Sequence, residues 1–318
     1  MTKSAIVLLT RKPDNIWLNF LNNIINYDIY VIIDENKYDY YKLYSSLNSK
    51  IKFVQIDDDL CKFHGYHNFV YPTKDLPNKP LAWDKAMFYF CDINTSYEKI
   101  WLIEDDVFFL NEKVIENIDN KYPNSDLLVP SHILNHSGEL DSWQFWFCAK
   151  ETINLPWAHS MSCACRVSNT LLRKIKEYVD HNKKLFFHEL MFNTLSEQNQ
   201  LIIDTPCELG TVQYNTEWNL DNLNLNNIYH PIKDYVKQLN IKMSNSIFYD
   251  NLFNNIDYQC LESFNPDSGL FLLRNYKLPY GFNFCCYREN SELKDWDDKS
   301  IVWHYFNHGK YENRKYKD

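Results

Sequence analysis

The first sixty residues alternate between short apolar runs and stretches whose apolar positions recur at helical spacing. Ala5-Ile-Val-Leu-Leu-Thr10, Ile29 to Ile33 and Ile51 to Ile56 are unbroken runs, as expected of strands covered on both faces. Between the first two, Pro13 and Asp14 announce a helix on which Trp17, Leu21, Ile24 and Ile25 recur together. A Tyr-rich stretch, 38 to 47, predicts a second helix. Asp34-Glu35 closes the second strand, and Asp57-Asp58-Asp59 closes the third as an acidic turn. This alternation predicts an α/β fold, a doubly wound and mostly parallel sheet flanked by helices.

Residues 59 to 80 are polar, aromatic and proline-containing, and read as a long loop. Leu81 to Phe90 follows as a helix. Then comes Lys99-Ile-Trp-Leu-Ile-Glu-Asp-Asp-Val-Phe-Phe-Leu110: a strand, three acids and a second apolar run. Asp126 to Val129 predicts another strand, and Asp141 to Phe147 a strand or a loop. Ser162 to Val167 feeds a helix from Ser168 to Val179, a further helix begins near His188, and Leu201 to Asp204 is a late strand. Residues 208 to 227 are irregular and end at Ile228-Tyr-His-Pro-Ile-Lys233. The character of the chain changes between about 240 and 255, giving a larger domain, 1–245, and a small, mainly helical region, 246–318.

Composition narrows the function. A formal net charge of -9 and the lack of clustered Lys and Arg argue against a nucleic-acid partner. None of the six glycines lies close to another, so neither GxGxxG nor GxxxxGK[ST] can be written. Phosphate, if bound, must be met by side chains and a cation. The nine cysteines form no CxxC pair, which suits reduced thiols in a cytoplasmic protein. The apolar stretch Ala5 to Leu9 is too short for a signal peptide, and no run reaches the ~18 residues of a membrane span. The abundance of Asn, Ile, Lys and Tyr follows an AT-rich genome, as in a giant virus or a protist.

Glu104, Asp105 and Asp106 continue an apolar strand without a break. Ligands of open α/β sheets gather at the carboxyl ends of strands. Neighbouring carboxylates raise one another's pKa unless a cation neutralises them, and oxygen donors suit Mn²⁺ or Mg²⁺. An acidic turn after an edge strand is the alternative reading. A strand, a DxD-like acidic triplet and a second apolar run resemble the GT-A-type glycosyltransferases, over about residues 4 to 235. Glu104 stands where that family more often has Asp.

The resemblance implies the roles of several residues. Glu104 and Asp106 would hold a divalent metal on the donor diphosphate, with Asp105 beside them. His230, in Tyr229-His-Pro-Ile-Lys233, is similar to the late metal-binding His of many such enzymes, and a neutral imidazole adds no negative charge. Lys233 would neutralise phosphate. Lys85, in the helix before the triplet, would meet the donor, and Asp84 a ribose or sugar hydroxyl. Thr10, Arg11 and Asp34 occupy strand ends that grip base and ribose. Glu189 resembles the carboxylate base of inverting members, although their usual form has two consecutive acids. Helix-terminal charge, surface placement and core packing are the competing readings.

Trp143, Trp146 and His159 are candidates for stacking an acceptor sugar. Phe282 to Tyr287, Asn290 to Asp295 and His304 to Arg314 resemble a short helical repeat that accompanies some glycosyltransferases, with a role in docking or oligomerisation. The expected protein is thus a metal-dependent glycosyltransferase using a UDP- or GDP-sugar and a glycan, protein or lipid acceptor. An inactive carbohydrate- or nucleotide-binding scaffold of the same fold and a metal-dependent nucleotidyltransferase are the alternatives.

Overall fold

The apolar run nearest the amino terminus becomes an interior strand of a seven-stranded sheet. β1 (Ser4–Thr10) pairs in parallel with β2 (Asp28–Ile33), which pairs in parallel with β3 (Lys52–Gln55). On its other side β1 pairs in parallel with β4 (Lys99–Glu104). This is a computed structural model, and it describes residues 3–71, 79–150, 152–245, 251–265, 279, 281–289, 293–296, 298–305, 309, 312 and 314–317.

Beyond β4 the sheet mixes directions. β5 (Leu127–Leu128) is followed by β6 (Ile133–Asn135) and β7 (Trp157–His159), which pair with each other as a separate antiparallel ribbon. β8 (Ala164–Ser168) enters the main sheet between β4 and β5 and runs antiparallel to both; β9 (Ile203–Asp204) closes the edge, parallel to β5. The order is β3-β2-β1-β4-β8-β5-β9, the mostly parallel α/β sheet expected.

Period-two alternation sends successive side chains to opposite faces. Ile6, Leu8, Val31, Trp101 and Ile103 share one core with Trp17 and Leu21 of α1 (Asn15–Asn22) and with Tyr40 and Tyr44 of α2 (Tyr40–Ser45). Asp14 starts α1 by accepting the Ile16 amide at 2.8 Å. The acidic run after β3 is a helix cap: the Asp57 carboxylate accepts the amides of Asp59 and Leu60, so the expected loop begins with α3 (Asp58–Phe63). All seven residues of α4 (Ala82–Phe88) are buried, and it runs on through a wider turn, Tyr89–Ile93, whose Tyr89 and Phe90 rings meet Tyr30 of β2.

α5 (Glu112–Lys121) adds Ile115 and Ile118 to the first core. Residues 141–146 form turns leading into α6 (Phe147–Lys150). Ser168 caps α7 (Asn169–Asn182), and α8 (His188–Gln198) packs on β7. The apolar run after the triplet is a single bridge, not a strand: Phe108 and Tyr229 exchange both backbone hydrogen bonds. α9 (Tyr235–Ser244) follows.

The chain divides into two compact units, Met1–Leu270 and Phe271–Asp318, later than the break expected after 245. The cause is packing of 251–265 on the first unit: Phe253 is buried in its core, Asn254 accepts from Asn19 at 2.7 Å, and the Asp39 amide donates to the Glu262 carbonyl. The second unit contains α10 (Phe284–Arg288) and α11 (Asp298–His304), with Tyr287, Leu293, Ile301 and Tyr305 as its core. His304 is buried there and bonds the Tyr287 hydroxyl at 2.9 Å; its i, i+4 neighbour His308 and the apolar-face residue Phe306 lie outside the described residues. Among the described residues no helix is long and apolar enough to cross a membrane.

Candidate active site

The strand order reverses at β1: β2 and β3 lie to one side and β4 to the other. A crevice opens at the carboxyl ends of strands at such a point, and here it is bordered by Thr10 and by Glu104-Asp105-Asp106. Each acid is fixed separately. Glu104 accepts from the Trp83 indole at 2.7 Å, and burial, opposed by hydrogen bonds from Cys163 and Trp83, raises its pKa. Asp105 accepts from the Thr10 hydroxyl at 2.5 Å, and its carbonyl accepts from the Trp17 indole at 2.7 Å. The Asp106 carbonyl accepts the Ile232 amide at 2.6 Å.

That last bond and the Phe108–Tyr229 bridge bring His230 to the triplet. Its Nδ1 is 2.8 Å from the Gln213 carbonyl, which can only accept, so Nδ1 carries the proton. Nε2 then faces the Asp106 carboxylate at 3.2 Å and that of Glu104 at 4.0 Å. Burial alone would lower the His230 pKa, but the Asp106 carboxylate, the Gln213 carbonyl and the Glu104 charge together outweigh it and the net shift is upward. An imidazole anchored through one nitrogen, with the other turned on two carboxylates, is a donor set that fits a divalent ion. Cys163 joins it: the ligand atoms of Glu104, Cys163 and His230 lie within 4.8 Å of one another.

Two cavities meet at this wall. One, about 220 Å³, is lined by Thr10, Arg11, Asp34, Trp83 and the triplet. The other, about 330 Å³, is lined by Glu104, Asp106, Cys163, Glu189, His230 and Lys233. Asn215, Pro231 and Lys233 also border a third, about 620 Å³, which extends to Trp218 and Lys237.

The expected site residues are therefore distributed unevenly. Thr10 and Asp34 sit in the first cavity, held by backbone bonds that continue β1 and β2 past their ends (Asp34 amide to Thr10 carbonyl, 2.9 Å). Asp34 keeps a buried carboxylate oxygen without a hydrogen-bond partner, with the Lys79 ammonium at 3.5 Å, and burial raises its pKa. Arg11 is largely exposed at the mouth, 3.8 Å from Glu35. Lys233 is exposed at the second cavity.

Asp84 and Lys85 line neither cavity. Lys85 is wholly buried and spends its ammonium on the Asp34 carbonyl at 2.7 Å and on Asp58 at 2.8 Å. Asp84 accepts the Leu81 amide at 2.9 Å and the Tyr71 hydroxyl, and burial pushes its pKa up to about 7. Both side chains are buried and bonded within the protein beneath the first cavity.

Glu189 opens the first turn of α8 and faces the second cavity; burial, with the Glu104 charge adding to it, pushes its pKa up to about 8. Trp143, Trp146 and His159 border none of these cavities. Trp143 lies flat on His159 at 4.0 Å, and Trp146 is buried with its indole bonded to Ser142. They pack on one another beside β7, with Trp146 buried and Trp143 half-buried. Sequence reasoning passed over Trp83, Cys163 and Gln213. Trp83 carries a detectable signal, an indole one residue before Asp84-Lys85; it also stacks on His188 at 4.3 Å.

No family model matches the chain, and no curated protein matches it. Comparison with solved structures finds mouse xyloside xylosyltransferase 1 in its apo form, with a TM-score of 0.32 and 11% identity over 65% of this chain and 86% of that one. The mannosyltransferase Ktr4p from S. cerevisiae aligns with a TM-score of 0.34 and 12% identity, over 61% of this chain and 65% of its own.

Proposed function

We propose that this protein is a metal-dependent glycosyltransferase. The observation that carries the reading is that Glu104 and Asp106 form a wall common to two cavities, one at the β1–β4 crevice and one containing Glu189. A nucleotide-sugar, UDP- or GDP-linked, occupies the first, and a hydroxyl of a glycan, protein or lipid acceptor enters the second. Asp34, which lines the first cavity beside the Lys79 ammonium, accepts a ribose hydroxyl, and Arg11 meets the nucleotide at the cavity mouth. Glu104, Asp106 and His230 would hold the divalent ion, which would supply Lewis-acid stabilisation of the departing diphosphate.

Glu189 acts as the base. The acceptor O–H bond breaks as its proton passes to the Glu189 carboxylate, the acceptor oxygen bonds to the anomeric carbon, and the bond from that carbon to phosphate oxygen breaks with its electron pair leaving on the diphosphate. A single displacement of this kind inverts the anomeric centre. Lys233, exposed beside His230, neutralises phosphate charge. The carboxylate must be ionised to take the proton, and a cation held by Glu104 would favour this by offsetting the second cause of its raised pKa, the neighbouring charge.

Asp106→Ala tests the proposal. Calorimetric binding of UDP- and GDP-sugars with Mn²⁺ or Co²⁺ should weaken by more than about 100-fold while circular dichroism is unchanged. Donor affinity equal to wild type in that variant would refute the metal-bridged mode.

A further inference from the structure

The antiparallel register of β4 and β8 sets Ile103 opposite Ala164, so the next residue outward on β8 is Cys163 and the next on β4 is Glu104. The Glu104 amide donates to the Cys163 carbonyl at 2.9 Å, which fixes this thiol beside the acidic triplet from the backbone up. Two other buried thiols donate to carbonyls, Cys61 to Tyr66 and Cys91 to Leu172. Cys163 instead turns its thiol to the Glu104 carboxylate and lines the cavity that contains Glu104, Asp106 and His230. Its sulfur belongs to the cluster whose ligand atoms lie within 4.8 Å of one another.

We propose that Cys163 is itself a ligand of the bound ion, so that the centre is a Glu104–Asp106–Cys163–His230 set that favours a thiophilic divalent ion, Zn²⁺ or Co²⁺, over Mg²⁺. The inference rests on the reading of this cluster as a metal centre and goes beyond it in naming the fourth donor and the class of ion. Metal–sulfur bonds near ~2.3 Å and metal–nitrogen bonds near ~2.0 Å put tetrahedral donors roughly 3.5 Å apart. His230 Nε2 and Asp106 Oδ1, at 3.2 Å, already have about that spacing, Glu104 is 4.0 Å from the same nitrogen, and Glu104, Cys163 and His230 must close from within 4.8 Å of one another. On loading, the thiol gives its proton to solvent and a sulfur–metal bond forms. Mg²⁺ demands a nearly octahedral oxygen shell and keeps its waters, which a buried thiolate and an imidazole do not provide. Zn²⁺ and Co²⁺ accept both and can expand to a fifth donor, which leaves a position for a diphosphate oxygen.

The test uses the full chain stripped with a chelator and titrated with Co²⁺. Wild type should develop a thiolate-to-cobalt charge-transfer band in the near ultraviolet with one equivalent bound. Cys163→Ser, checked for folding by circular dichroism, should lose the band and bind Co²⁺ about 10- to 100-fold more weakly, with Mn²⁺ affinity changed by less than about threefold. Should Cys163→Ser fail to fold, His230→Gln serves in its place, and the wild-type band must then weaken with it. A band that survives in Cys163→Ser comes from another of the cysteines and overturns the inference. Co²⁺ bound without any band, together with metal-dependent donor binding, overturns the thiol ligand and leaves the glycosyltransferase reading standing. Failure of wild type to bind any divalent ion sinks both.

Discussion

Glu189→Gln separates the stability of the fold from its proposed chemistry. In the folded chain the carboxyl titrates at about 8 because of burial first and the Glu104 charge second, against 4.5 for an unperturbed glutamate. Between those values the folded state holds a proton that the unfolded state has released, so folding takes up a proton and stability falls as pH rises. At ~1.36 kcal/mol per pH unit the cost reaches roughly 3 kcal/mol at pH 7 and roughly 5 kcal/mol above pH 8. Residual solvent contact at Glu189 makes these upper bounds. Glutamine keeps the shape and carries no titrating proton, so the variant should be the more stable protein while losing transfer. The gap should be nil below pH 4.5, widen with pH and level off above pH 8. Thermal melts of both proteins across pH 4 to 9, without metal, read it directly, and a gain of roughly 5 °C or more is expected near pH 8. Added divalent ion should narrow the gap by neutralising Glu104. Equal melting temperatures at pH 8, or a gap that shrinks as pH rises, would refute the reasoning.

Lys242 is buried on α9 with its ammonium 3.4 Å from the centre of the Phe20 ring and 5.0 Å from that of Trp17, and it has no acidic partner among the described residues. Burial drives its pKa well down, so wild-type stability should rise as pH climbs toward the unfolded lysine's ~10.4. Lys242→Met should abolish that slope and raise the urea stability at neutral pH by about 1–2 kcal/mol; a lower midpoint would mean that attraction to the rings, worth about 2 kcal/mol when desolvated, dominates instead. Arg166, wholly buried, donates to Asp119 at 2.6 Å and to the carbonyls of Tyr122 and Ser125, while Asp119 also accepts from the Trp101 indole and the Tyr27 hydroxyl. Arg166→Met strands that carboxylate and should cost about 3–5 kcal/mol in urea denaturation, part of it recovered by adding Asp119→Asn; a loss under about 1 kcal/mol contradicts the pairing argument.

The sheet from β1 to β4 was readable because its strands are covered on both faces and therefore apolar without interruption. The triplet was readable for a related reason: three acids directly after such a strand stand at its carboxyl end. What could not be read depends on contacts between distant segments. His230 is conspicuous as a His-Pro dipeptide, yet it meets Asp106 only because Phe108 and Tyr229 pair across the chain. Cys163 looks like one more buried thiol in a strand, since register with β4 has no local signature. The partners of Lys85 were hidden for a physical reason: a lysine in a helix next to a predicted site suggests a ligand contact, whereas burial of the whole of α4, which sets the ammonium on the Asp34 carbonyl and Asp58, has no local signature. The aromatic triplets were ambiguous in the same way, because rings that pack and rings that bind share a composition.

The reversed direction of β8 has a consequence for how this molecule can change. Parallel strands deliver their ends to the crevice, whereas β8 delivers its beginning, so the excursion through β6, α6 and β7 feeds directly into the wall carrying Cys163. Thr10, Asp34 and the triplet belong to a frame completed before that excursion starts. A change in residues 130–162 should therefore reach the crevice through Cys163 and through α8, which packs on β7 and carries Glu189, while the pairing of β1 with β2 and β4 stays as it is.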